Sequence, residues 1–160
     1  MIKKKKLLLL LILFCSVNTI AQVKDLNQLL SLGKKTLTQA SATLTASKWK
    51  KFEDGKLDTL YYIRFVPATM DSTNVGDNVM CFYKKKDTPL NYIVFQTVNK
   101  KLVNKYVAEL KKGGFILADT QKKPGEKKDI YSNRKCNVSV VEAKPKATDP
   151  LCYLIGIRYP

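Results

Sequence analysis

The stretch from Asn99 to Phe115 constrains this chain more than any other, because it is helical in period and is flanked by segments that are not. Leu102, Val103, Tyr106, Val107 and Leu110 fall on one face of a helix, and Lys100, Lys101, Lys105, Glu109, Lys111 and Lys112 fill the other. Both ends are marked. Asn99 is placed to cap the first turn, the last-turn lysines suit the negative end of the helix dipole, and Gly113-Gly114 permits a left-handed exit. Phe115-Ile116-Leu117 then opens a strand, so the chain mixes helix and strand in sequence.

The start of the chain is read apart from the fold. Lys3 to Lys6 form a basic region, Leu7 to Phe14 an apolar one, and Thr19-Ile20-Ala21 ends in a small residue suited to cleavage before Gln22. Residues 1–21 are therefore expected to be a signal peptide, and the chain to be secreted or periplasmic, with no membrane span after cleavage. The remaining residues, 22–160, suffice for a single domain. Of the 29 Lys and Arg residues the leader holds four, which leaves 25 against 13 Asp and Glu, a net charge of +12. Such a balance suits an acidic partner.

From Gln22 the pattern predicts a short helix capped by Asp25 and stopped by Gly33, then a helix through Lys34 to Lys48. Trp49 begins a strand. Glu53-Asp54-Gly55-Lys56 carries the Asp-Gly signal of a tight hairpin, with Leu57 to Val66 as the returning strand. A polar loop, Ala68 to Asp77, leads to strands Asn78 to Lys84 and Leu90 to Val98. After the helix come Phe115 to Thr120, a Lys123-Pro124-Gly125-Glu126 turn of type II chemistry, and strands Asp129 to Ser132, Cys136 to Lys144 and Leu151 to Tyr159.

The two passes share one grammar. Val79-Met80 falls on Val140-Val141, Asp87-Thr88-Pro89 on Thr148-Asp149-Pro150, and Tyr92-Ile93-Val94 on Tyr153-Leu154-Ile155, each 61 residues apart, while Trp49 matches Phe115 at 66. The expected fold is α+β: two tandem repeats, about 25–98 and about 99–160, each a helix plus four antiparallel strands, forming one sheet with helices on one face. In this order of elements the chain resembles the β-lactamase inhibitor protein family. The resemblance implies a concave sheet face that meets a target protein. It carries no motif and no functional residue, and the family's paired-cysteine pattern is not repeated here.

Chemistry is narrowed by what the sequence omits. It has no histidine, so the commonest general base and zinc ligand are missing together. No Cys-x-x-Cys and no glycine-rich phosphate loop occurs. Asp71 to Asp77 holds oxygen ligands as a calcium loop would, yet Phe82 stands where its bidentate glutamate belongs. The chain is read as no enzyme, with no catalytic, metal or cofactor residue.

Alternation along the strands suggests instead a binding face. With Val79, Cys81, Tyr92, Val94, Val138, Val140, Tyr153, Ile155 and Ile157 beneath the helices, Met80, Phe82, Ile93 and Phe95 turn to the open side. Lys84, Lys85 and Lys86 mark the adjoining sheet end. The expectation is a non-catalytic interaction module that takes a protein or acidic partner on these residues. The alternative is a charge-driven binder of anionic lipid or glycan surfaces; nucleic acid and small-molecule cofactors are not expected. Cys81 and Cys136 are expected to be buried as thiols, Cys152 to lie on the open side, and no Cys136–Cys152 bridge to form.

Overall fold

A computed structural model describes residues 23, 25–70, 76–144 and 150–160. The expected leader, Asp71 to Val75 of the polar loop, and Thr148-Asp149 of the last turn lie outside the described residues.

Local signals place three helices among the described residues. Asp25 accepts a hydrogen bond from the Gln28 N–H at 2.9 Å and starts α1, Leu26–Gly33. Thr36 and Gln39 form a reciprocal capping box at the head of α2, Leu37–Ala46. Asn99 accepts from the Leu102 N–H at 3.1 Å and opens α3, Lys100–Lys112, after which Gly114 takes a φ of 77°. The helix that α2 forms is poor in intrinsic propensity, and its Leu37, Ala40 and Leu44 hold it by burial.

The strands are β1 (Trp49–Leu57), β2 (Leu60–Pro67), β3 (Asn78–Tyr83), β4 (Tyr92–Thr97), β5 (Ile116–Lys123), β6 (Glu126–Ser132), β7 (Asn137–Ala143) and β8 (Cys152–Arg158). They form one antiparallel sheet in the order β1-β2-β3-β4-β8-β7-β6-β5. The fold is α+β, and β4 and β8 meet at its centre, where two four-strand meanders join. Pro124-Gly125 makes the expected turn between β5 and β6, with Gly125 at φ 75°.

The first hairpin differs from expectation. Asp54-Gly55 lies inside β1, and the chain reverses at Asp58-Thr59, where Asp58 takes the left-handed φ of 51°. Gly55 serves another purpose. A Cβ there would meet the Tyr62 ring at 2.9 Å, so the missing side chain lets that ring lie across the neighbouring strand.

All three helices lie on the same side of the sheet. Their buried residues form one core with Phe65, Val79, Cys81, Ile93, Phe95, Val138, Val140, Tyr153, Ile155 and Ile157. This corrects the expected facing of β4. Ile93 and Phe95 are fully buried beneath the helices, and Phe95 packs at 6.1 Å against Tyr106 of α3. Tyr92 and Val94 are the residues that face outward with Met80 and Phe82. The reason is Thr97. It is buried although polar, because its hydroxyl donates to Asp77 Oδ1 at 2.6 Å and accepts from the Asn99 N–H at 3.1 Å. Gln96 then faces outward, and the strand's parity is the reverse of that expected. The 61-residue register fails at the same place, since Tyr92 is on the open side while Tyr153 is in the core.

Two contacts tie the start of the described chain to α3. Glu109 Oε2 accepts from the Leu26 N–H at 2.8 Å, an anionic cap supplied to α1 by another helix, and the Tyr106 hydroxyl donates to the Val23 carbonyl. Burial of Tyr106 pushes its phenol well above the usual range.

Candidate functional site

The helix-free side of the sheet is the candidate site, and its centre is an aromatic row across three strands. Register places Tyr62 beside Phe82 and Phe82 beside Tyr92. The Phe82 and Tyr92 rings stack at 4.1 Å with 8° between planes, and Tyr62 lies 6.1 Å from Phe82. Phe82 is thereby only 4% exposed although it faces the open side, because the two tyrosine rings cover it. The surface a partner would touch is Tyr62, Tyr92, Met80 and Val94, all half-buried.

The row continues into the second meander with smaller residues. Val94 faces Gly156, Leu154 faces Val141, and Cys152 faces Ala143. Gly156 leaves a notch. A Cβ there would meet Ser139 Oγ at 2.6 Å, and above the bare backbone is a groove of about 400 Å³ between Tyr92, Ile130, Lys128 and Arg158. At the other end of the row Arg64 reaches Glu53 at 3.6 Å and lies over the Phe52 ring at 5.1 Å. Its Nε is shielded from solvent and has no hydrogen-bond partner among the described residues. The open face thus carries apolar area and three cations, Arg64 at one end of the row and Lys128 and Arg158 at the other.

Of the residues singled out from sequence, Met80 and Phe82 belong to this face and Ile93 and Phe95 do not. Lys84, Lys85 and Lys86 are exposed in the β3–β4 connection, at the sheet end beside Tyr92 rather than on the face itself. Tyr62, Tyr92 and Val94 are the members that sequence reasoning missed. A signal for Tyr62 existed in Tyr62-x-Arg64, since a charged residue in β2 marks the outward parity that Tyr62 shares.

The thiols take the expected sides. Cys81 and Cys136 are buried as free thiols, and Cys152 is half-buried on the open side. In the sheet order β4 and β8 stand between β3, which carries Cys81, and β7, which Cys136 precedes. At about 4.8 Å per strand the two thiols are too far apart to bridge. Burial pushes the Cys81 thiol up to about 12.

Among the described residues no group of three His, Cys, Asp or Glu side chains is placed to hold a metal ion, and no helix is long and apolar enough to cross a membrane. No protein family, no characterised protein and no solved structure matches the chain.

Proposed function

We propose that the chain is an exported, non-catalytic interaction module that binds a partner protein on the open sheet face through Tyr62, Met80, Tyr92 and Val94. The observation that carries this reading is the aromatic row itself: stacked rings continuous with Val94, Leu154 and Val141, on a side where no helix of the described chain packs. Rigid aromatic area of this kind, bordered by cations, is what partner-binding surfaces enrich. The absence of histidine from the sequence agrees with a role that needs no proton transfer at neutral pH. The reading rests on the face and not on the resemblance in element order.

A photo-reactive residue at position 94 should capture a protein in the exporting cell, whereas the same residue at Asn104, exposed on α3, should not. Binding of the purified partner should then be lost in Val94→Asp with an unchanged melting temperature. Retention of binding by that variant would remove the proposal.

A second reading is a charge-driven binder of anionic surfaces, favoured by Lys84, Lys85 and Lys86, which have no carboxylate within 4.0 Å among the described residues. It predicts steep loss of affinity for anionic vesicles with salt, and indifference to Val94→Asp.

A further inference from the structure

We propose that the cleft on the helix-covered side, between α1, the end of α3 and the β6–β7 turn, binds a small amphipathic anion: one carboxylate, sulfonate or phosphate group on an apolar body. The cleft measures about 830 Å³, within the range of small-molecule sites. It lies on the opposite side of the sheet from the open face and does not depend on what that face binds.

Its floor is apolar and held in place. Tyr159 donates its hydroxyl to the Leu30 carbonyl at 2.7 Å, and its ring occupies the space a side chain at Gly33 would need, 2.6 Å from the ideal Cβ. Gly33 is thus required by a close approach, and the ring it admits becomes a wall of the cleft. Phe115, nearly buried after the exit from α3, and Leu26 and Leu30 of α1 complete the apolar part.

The rim is basic. Lys34 and Lys35 follow α1, Lys112 ends α3, and Lys135 comes from the β6–β7 turn, where Asn133 Oδ1 accepts from the N–H groups of Lys135 at 2.8 Å and Cys136 at 3.0 Å. Lysines after helix ends ordinarily answer the helix dipole, and that accounts for those near α1 and α3. It does not account for Lys135. The charges also do not cancel: Glu109 is the one carboxylate in the lining among the described residues, and each of the two helix C-termini counts for roughly half a negative charge. Lys35 turns its ammonium away to donate to Thr43 Oγ1 at 2.8 Å, and the other three ammonium groups leave about one positive charge in excess. Glu109 is moreover engaged, accepting from Leu26 and lying 3.6 Å from Lys105. Lys34, Lys112 and Lys135 have no carboxylate within 4.0 Å among the described residues.

The ligand class follows from how the two parts meet. Lysines supply point charges and no planar fork, so the rim suits a single acid group and lacks a bidentate clasp for a bare phosphate. A bare anion would also leave the half-buried Leu30 and Tyr159 against water, whereas an apolar body attached to the acid group covers them.

Anilinonaphthalene sulfonate, an aromatic body with one acid group, is the probe, titrated by fluorescence into the chain from Gln22 onward, which contains every described residue. One saturable site is expected. Lys112→Glu with Lys135→Glu should weaken binding by about tenfold or more, since each reversal replaces an attraction by a repulsion. Ser31→Trp, which fills the cleft without altering charge, should abolish it and keeps the test valid where the double reversal fails to fold. Val94→Asp on the open face should leave it unchanged. Unchanged affinity in both cleft variants, or equal affinity for the neutral analogue N-phenylnaphthylamine, would overturn the proposal. Displacement of the probe by inorganic phosphate at similar concentration would overturn the amphipathic requirement.

Discussion

Phe95→Ala and Val94→Ala, compared in urea, test the facing of β4 on which the open site depends. Phe95 is fully buried between α3 and the sheet, with Tyr106 at 6.1 Å, so removing its ring deletes a complete set of contacts and leaves a cavity. Phe→Ala changes at such positions cost about 3–5 kcal/mol. Val94, half-buried on the open face, loses two methyl groups that are already partly wet, and its truncation should cost under about 1 kcal/mol. With a urea slope of about 1–3 kcal/mol/M, Phe95→Ala should lower the midpoint by roughly 2 M and Val94→Ala by well under 1 M. Slopes should stay equal, which shows that the cost lies in the folded state. Equal losses, or a larger loss for Val94→Ala, would mean that the strand faces the other way and that the aromatic row is not a surface.

Three further outcomes follow from single side chains. Glu109→Ala removes the anionic acceptor from the Leu26 N–H and should cost about 1–3 kcal/mol, with faster amide exchange confined first to α1; uniform exchange along the chain would refute that anchoring role. At alkaline pH the buried Cys81, raised from an unfolded value near 9.0 to about 12, resists ionisation while the unfolded chain does not. Its contribution is therefore complete below pH 9 and is lost progressively as pH rises toward 12, and buried tyrosines such as Tyr106 act in the same direction. Chemical denaturation at pH 8 and at pH 11 checks the sign. Native Cys81 should also resist alkylation until the chain unfolds.

The sequence by itself determined whatever depends on neighbours along the chain. Asp25 and Asn99 cap helices at the residues that spacing indicated, Pro124-Gly125 turns where its chemistry requires, and the stripe of α3 buries Val103, Tyr106 and Leu110. The inward residues of β7 and β8 were legible for the same reason, because Ser139 and Gly156 interrupt the apolar run and mark the outer parity. In β4 the marks conflict. Tyr92 to Phe95 are apolar, and of the two adjacent polar residues Gln96 does face outward while Thr97 is buried because Asp77 reaches it from another segment. The hairpin at Asp54-Gly55 failed likewise, as pairing with β2 carries β1 past the turn signal and uses the glycine to seat Tyr62. Only the tertiary structure placed Lys135 beside Lys34 and Lys112, and Tyr159 against Gly33. Residues far apart along the chain meet there because packing two helices onto one sheet brings their ends to one place, and no local period encodes that meeting.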